Sequence, residues 1–141
     1  MSYTNIELIN AFFSAYAKRD IEAVNQVMDE NAVWFFPGHH AFSGKKQGIK
    51  AIIAFFDTMG SIMGPSDVRV EKFFMEQNNN YVLEYQHIQT NRKDNNNLSH
   101  YWCVAWQFKN GKIVEGRHLA GDQHEVDRFF HKISQSGIAI P

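Results

Sequence analysis

Histidines and one aspartate near the end of the last extended segment make the best case for chemistry in this sequence: His100, His118 and Asp122. An imidazole titrates near neutral pH, so it can take and return a proton during a reaction. Seven histidines stand in the chain beside twelve Phe, five Tyr and three Trp. Apolar walls with a few convergent polar groups are the usual form of a small-molecule site. Other chemistries find less support. His39, His40, His118, Asp122 and His124 are metal-ligand types, but no tight H-x-H or H-x-x-x-H spacing joins them, so no metal is expected. Glycine-rich phosphate loops, a G-x-S-x-G elbow and dinucleotide fingerprints are absent, so no cofactor is expected. Cys103, the single cysteine, lies in an apolar run and reads as a buried, inert thiol.

Composition narrows the class further. With 141 residues, 44% hydrophobic and 14% aromatic, the chain is too apolar for disorder and sized for one domain spanning 1–141. A formal charge of -1 leaves no electrostatic footprint for nucleic acid or an anionic membrane. Met1 to Asn5 shows no basic or long apolar stretch, and no segment approaches 18 apolar residues. A cytoplasmic protein is the expectation.

The elements that must position these residues follow from periodicity. Thr4 with Glu7 forms a capping box ahead of Ile6, Ile9, Phe13 and Tyr16 at helical spacing. Asp20 caps a second short helix carrying Val24 and Val27. Ala32 to Phe36 reads as a strand stopped by Pro37-Gly38. Gly48 to Met59 reads as a third helix, broken by Gly60, Gly64 and Pro65. Beyond it the period changes to two, over Val68 to Phe73, Tyr81 to Thr90, Leu98 to Lys109 and Lys112 to Gly121. A last helix bears Val126, Phe129, Phe130 and Ile133 and ends at Gly137. The order predicts an α+β fold: a curved antiparallel sheet with helices packed on its concave face, a core at about 4–122 and a C-terminal helix at about 123–135.

Several phrases, in this order and spacing, resemble the nuclear transport factor 2-like superfamily, within it the SnoaL-like and ketosteroid-isomerase-related branch. They run from Phe12 to Val24, from Pro37 to Gly44, from Gln47 to Ile52 and from Phe108 to Val114. The resemblance implies a cone-like α+β roll of the cystatin-like kind, a pocket closed by the first and third helices, and a homodimer through the outer face of the sheet. It does not imply one activity. The steroid isomerases' base, oxyanion tyrosine and protonated aspartate fall on Phe36, Phe12 and near Val104. These side chains supply neither a base nor a donor, so that activity is rejected. The SnoaL-like cyclases use an aspartate near the end of the last strand, where Asp122 stands. Asp122-x-x-Glu125 before an apolar helical stripe also reads as a helix cap, and both readings stay open.

Register decides which side chains meet. A two-residue turn at Asn110-Gly111 would set Cys103 opposite His118; a three-residue turn would set Trp102 there. The second places His100, Trp102, Val104 and Trp106 with Val114, Gly116, His118 and Ala120. Trp34 and Phe36 should join that face, as should Leu83, Tyr85 and His87. The expected pocket therefore holds Phe12, Tyr16, Trp34, Phe36, Phe56, Tyr85, His87, Trp102 and Trp106 around the catalytic set His118, His100 and Asp122. The function this predicts is acid/base catalysis of the cyclase, dehydratase or isomerase type on a small apolar cyclic molecule. The alternative is a ligand-binding or dimeric interaction module without chemistry.

Overall fold

The computed structural model describes residues 3–64 and 68–135. Helix α1 (Asn5–Ala17) starts at the Thr4–Glu7 capping box, and α2 (Ile21–Val27) starts at Asp20, whose carboxylate accepts from the Ala23 amide at 3.1 Å. Strand β1 (Met28–Phe36) and the short β2 (Gly44–Gln47) follow, then α3 (Ile49–Met63). Strands β3 (Val68–Gln77), β4 (Tyr81–Thr90), β5 (Ser99–Lys109) and β6 (Lys112–Ala120) lead into α4 (Gln123–Gln135). Pro65 and Gly137, read as helix breakers, lie outside the described residues.

The six strands form one open sheet in the order β2-β1-β6-β5-β4-β3. The α+β arrangement is as anticipated, with two corrections. The sheet is mixed, because β1 runs parallel to β6, and β2 adds an edge strand that four short polar residues did not announce. Helix α3 passes through Gly60 to Met63: it buries Ile62 and Met63, and that burial outweighs the glycine's cost of about 1 kcal/mol.

The β5–β6 hairpin turns on two residues. Asn110 and Gly111 both take positive φ (54° and 76°), the geometry of a tight turn that matches strand twist, and Lys109 pairs with Lys112. A bulge at Val114 then changes the register, so that Val104 stands opposite His118. The face assignment for β5 holds, while the pairing of Trp102 with His118 is corrected: Trp102 meets Ala120. On β4 the expectation fails. Val82, Glu84, Gln86, Ile88 and Thr90 point into the core, whereas Leu83, Tyr85 and His87 lie on the outer face. The run Tyr81-x-Leu83-x-Tyr85 looked like a core stripe because it is the more apolar alternation. Cross-strand pairing sets the opposite face inward, with Glu84 beside Val104 and Gln86 beside Trp102.

Candidate functional site

Three tryptophans stand on the inner face, and each indole N–H donates to a polar side chain there. Trp106 Nε1 donates to Glu84 Oε2 at 2.6 Å, and Trp102 Nε1 to Gln86 Oε1 at 2.9 Å. Trp34 Nε1 donates to His118 Nδ1 at 3.0 Å. A buried indole normally finds an acceptor, and here the acceptors are the groups able to do chemistry. Gly116 makes the layout possible. Trp34 lies over it so closely that a Cβ at this position would overlap the indole ring. Trp34 and Trp106 then meet edge to face, with centroids 4.8 Å apart.

Trp34, Trp106, Glu84, Gln86 and His118 line a cavity of about 310 Å³, with Phe13, Phe56, Val70, Lys72 and Val104 completing the wall. The volume sits at the lower end for small-molecule sites. Glu84 is only 2% exposed. The Lys72 ammonium ion-pairs with its Oε1 at 2.9 Å. A carboxylate oxygen has two lone pairs, so Oε1 can still accept a second donor beside that ion pair. Register places Glu84, Val104 and His118 in one row across β4, β5 and β6. Paired residues are about 5 Å apart, so Glu84 and His118 flank Val104 at about 10 Å between Cα atoms. Among the described residues, a larger groove of about 340 Å³ near Arg69, Gln89 and Asn97 is lined by neither a carboxylate nor an imidazole.

The state of His118 follows from its partner. An indole N–H can donate only to a bare Nδ1, so the ring is neutral and carries its proton on Nε2. Burial against Phe36, Trp102 and Trp34 pushes its pKa down to about 3. The ring is therefore a hydrogen-bond donor at working pH, and a poor base.

The other anticipated catalytic residues have structural duties. His100 Nε2 accepts from the backbone amides of Gly121 (3.1 Å) and Asp122 (3.2 Å), so its lone pair closes the turn from β6 into α4. Burial lowers its pKa, against the opposing pull of Asp122 and Glu125. Asp122 is exposed, and its Oδ1 accepts from the amides of His124 and Glu125 at 3.1 and 3.3 Å. That is a helix cap, one of the two readings left open. Neither residue lines the cavity.

Among the anticipated ligand-binding residues, Trp34, Phe56 and Trp106 line the cavity, and Trp102 positions Gln86. Phe12 and Phe36 are buried behind these rings in the core. The Tyr16 hydroxyl donates instead to Asp57 Oδ1 at 2.7 Å, tying α1 to α3; burial and that carboxylate raise its pKa to about 12. Tyr85 and His87 are corrected to the outer face, where His87 Nε2 lies 3.0 Å from Ser99 Oγ. Among the described residues, no three His, Cys, Asp or Glu side chains converge in a metal-ligating group.

The fold agrees with comparisons to known proteins. The model of the SnoaL-like domain matches residues 9–116, most of the chain. The chain belongs to the SnoaL-like domain family. No curated protein sequence matches it. Among solved structures it is similar to Bal32a, from a soil-derived mobile gene cassette: 25% identity and TM-score 0.73, over 89% of this chain and 95% of that one. A nuclear transport factor 2-like protein from Burkholderia xenovorans is 21% identical with TM-score 0.72, over 89% and 95%. A protein from Jannaschia sp. described as a SnoaL-like polyketide cyclase is 14% identical with TM-score 0.62, over 83% and 85%. Within the SnoaL-like frame, Glu84, Gln86 and Lys72 are the functional candidates that sequence reasoning missed. Polar residues at alternate positions of β4 were the available signal, hidden by the aromatic alternation beside them.

Proposed function

We propose that this SnoaL-like protein binds a small apolar cyclic molecule in the Glu84 cavity and moves a proton on it. The carrying observation is a buried carboxylate, held on one oxygen by Trp106 and on the other by Lys72, beside an aromatic-walled space. Glu84, fixed by Trp106 and paired with Lys72, is placed to accept a proton from a carbon or hydroxyl next to a carbonyl. His118, held neutral by Trp34, donates through Nε2–H to the carbonyl oxygen as negative charge develops on it. The Gln86 amide, anchored through Oε1 on Trp102, offers a further donor from its NH₂ group. The roles first assigned to His100 and Asp122 pass to Glu84; His118 keeps a part, as donor.

A thermal-shift screen with cyclic aromatic ketones tests occupancy of this site. The wild type should gain several degrees with a subset of them. Val70→Trp, a change at the exposed mouth, should lose that gain while keeping its unliganded melting temperature. Equal shifts in both proteins would place the ligand elsewhere.

We also propose a homodimer through the outer sheet face. Phe73, Tyr85 and Tyr101 are exposed there, with rings 5.4 to 6.1 Å apart, and Leu119 lies beside them. A contiguous apolar patch of this kind is what a self-complementary interface requires.

A further inference from the structure

Helix α3 lays Phe55 and Phe56 on the sheet side by side, with centroids 5.4 Å apart, and the two rings face different hollows. Phe56 lines the Glu84 cavity. Phe55 lines a separate groove of about 270 Å³, together with Ala41, Phe42, Lys46, Ala54 and Met59. Lys46 stands directly across from Trp34 on the edge strand β2, which brings it to this groove. Among the described residues it is the only charged one in the lining. Its Nζ sits 5.7 Å from the Phe55 centroid and donates to the Ser43 carbonyl at 3.2 Å. Among the described residues it forms no ion pair.

Lys46 thus gives up part of its water to an apolar wall and receives no counter-charge in return. Burial lowers its pKa accordingly; burial also lowers that of the neighbouring His40, and the Lys46 charge adds a smaller push the same way. An anion seated on this ammonium would relieve that imbalance. One ammonium, with no arginine fork beside it, suits a single negative charge better than a phosphate. The remaining lining is apolar except for Thr58, whose hydroxyl donates to the Ala54 carbonyl at 2.9 Å, and asks for an apolar body.

We propose that this groove is a second ligand site, taking a small amphiphilic monocarboxylate. Its carboxylate pairs with Lys46 Nζ and its apolar chain lies over Phe55, Ala54 and Met59. The site is distinct from the Glu84 cavity and stands whether or not that cavity is catalytic.

Titration calorimetry with sodium octanoate tests the proposal, with 1-octanol as the neutral counterpart. The wild type should bind octanoate saturably at one site, at least ten-fold more tightly than octanol. Lys46→Met keeps the apolar stem and removes the charge; it should weaken octanoate at least ten-fold and leave octanol unchanged. Ala54→Phe, a change at an exposed helix position, should fill the groove and weaken both ligands. Glu84→Gln should bind octanoate as the wild type does. Absence of saturable binding, equal octanoate affinity in Lys46→Met, or loss in Glu84→Gln with retention in Lys46→Met would each overturn it.

Discussion

Glu84 is a charged residue on a strand that faces the core, and a change at its partner should show how tightly it is held. Trp106→Phe keeps the ring and removes the N–H, leaving a buried carboxylate oxygen without its donor. That should cost about 1–3 kcal/mol in urea unfolding. Asp122→Ala should cost about 1 kcal/mol through the lost cap and leave ligand binding intact. A loss of binding with no loss of stability would return Asp122 to the site. The histidines set a pH dependence. His118 and His100 have folded pKa values below the unfolded value near 6.5. Their neutral forms therefore contribute stability that is present above about pH 6.5 and lost as pH falls toward the folded values, about 3 for His118. Melting temperature should fall steadily from pH 7 to pH 5, and His118→Gln should flatten that fall. At this scale the sequence made His118 and the tryptophans legible by type. It could not reveal that His100's lone pair is spent on two backbone amides, because only the β6–α4 turn brings those amides to it.

Elements decided which residues the site could use. The helices were legible from their caps and apolar spacing: the capping boxlike phrase at Thr4 and the Asp20 cap both stand where the sequence put them. All the strands but β2 were legible as strands, and the inner face of β5 was legible from its two tryptophans and His100. The inner face of β4 was not, since a period of two leaves two faces, and here the more apolar one, Tyr81-Leu83-Tyr85, lies outside. The place of the Asn110-Gly111 turn was legible, but its length was misjudged as three residues where the structure has two. The Val114 bulge that sets the pairing was not legible, because a bulge leaves no residue signature comparable to a turn. The position where an element touches the site most closely is Gly116 on β6. Gly116→Ala should displace the Trp34 indole, cost about 1–3 kcal/mol as other overpacked cores do, and change the near-ultraviolet circular dichroism of the tryptophans. A variant with wild-type stability and spectrum would contradict the stacking of Trp34 on this glycine.

On the scale of the whole molecule, the sheet separates two apolar faces with different tasks. The inner face is wrapped by α1 and α3 and encloses the cavity; the outer face carries an aromatic patch in the open. If that patch joins two copies, Tyr101→Glu should convert a dimer to a monomer in light-scattering chromatography without lowering the melting temperature of the subunit by more than a few degrees. A wild-type monomer at high concentration would rule the interface out. The α+β architecture and its family were legible from the order of the elements, because burying one face of a curved sheet under amphipathic helices allows few arrangements. No helix among the described residues is long and apolar enough to cross a membrane. The central claim is that Glu84 carries a proton in a tryptophan-walled cavity, and hydrogen–deuterium exchange tests it most directly. Exchange of the α-protons of 2-tetralone in heavy water, followed by NMR, should be faster with the wild type than with buffer. With Glu84→Gln it should drop by about 100-fold or more, toward background, while His100→Asn and Asp122→Ala keep the wild-type rate per folded molecule. Exchange by Glu84→Gln at the wild-type rate would contradict the account.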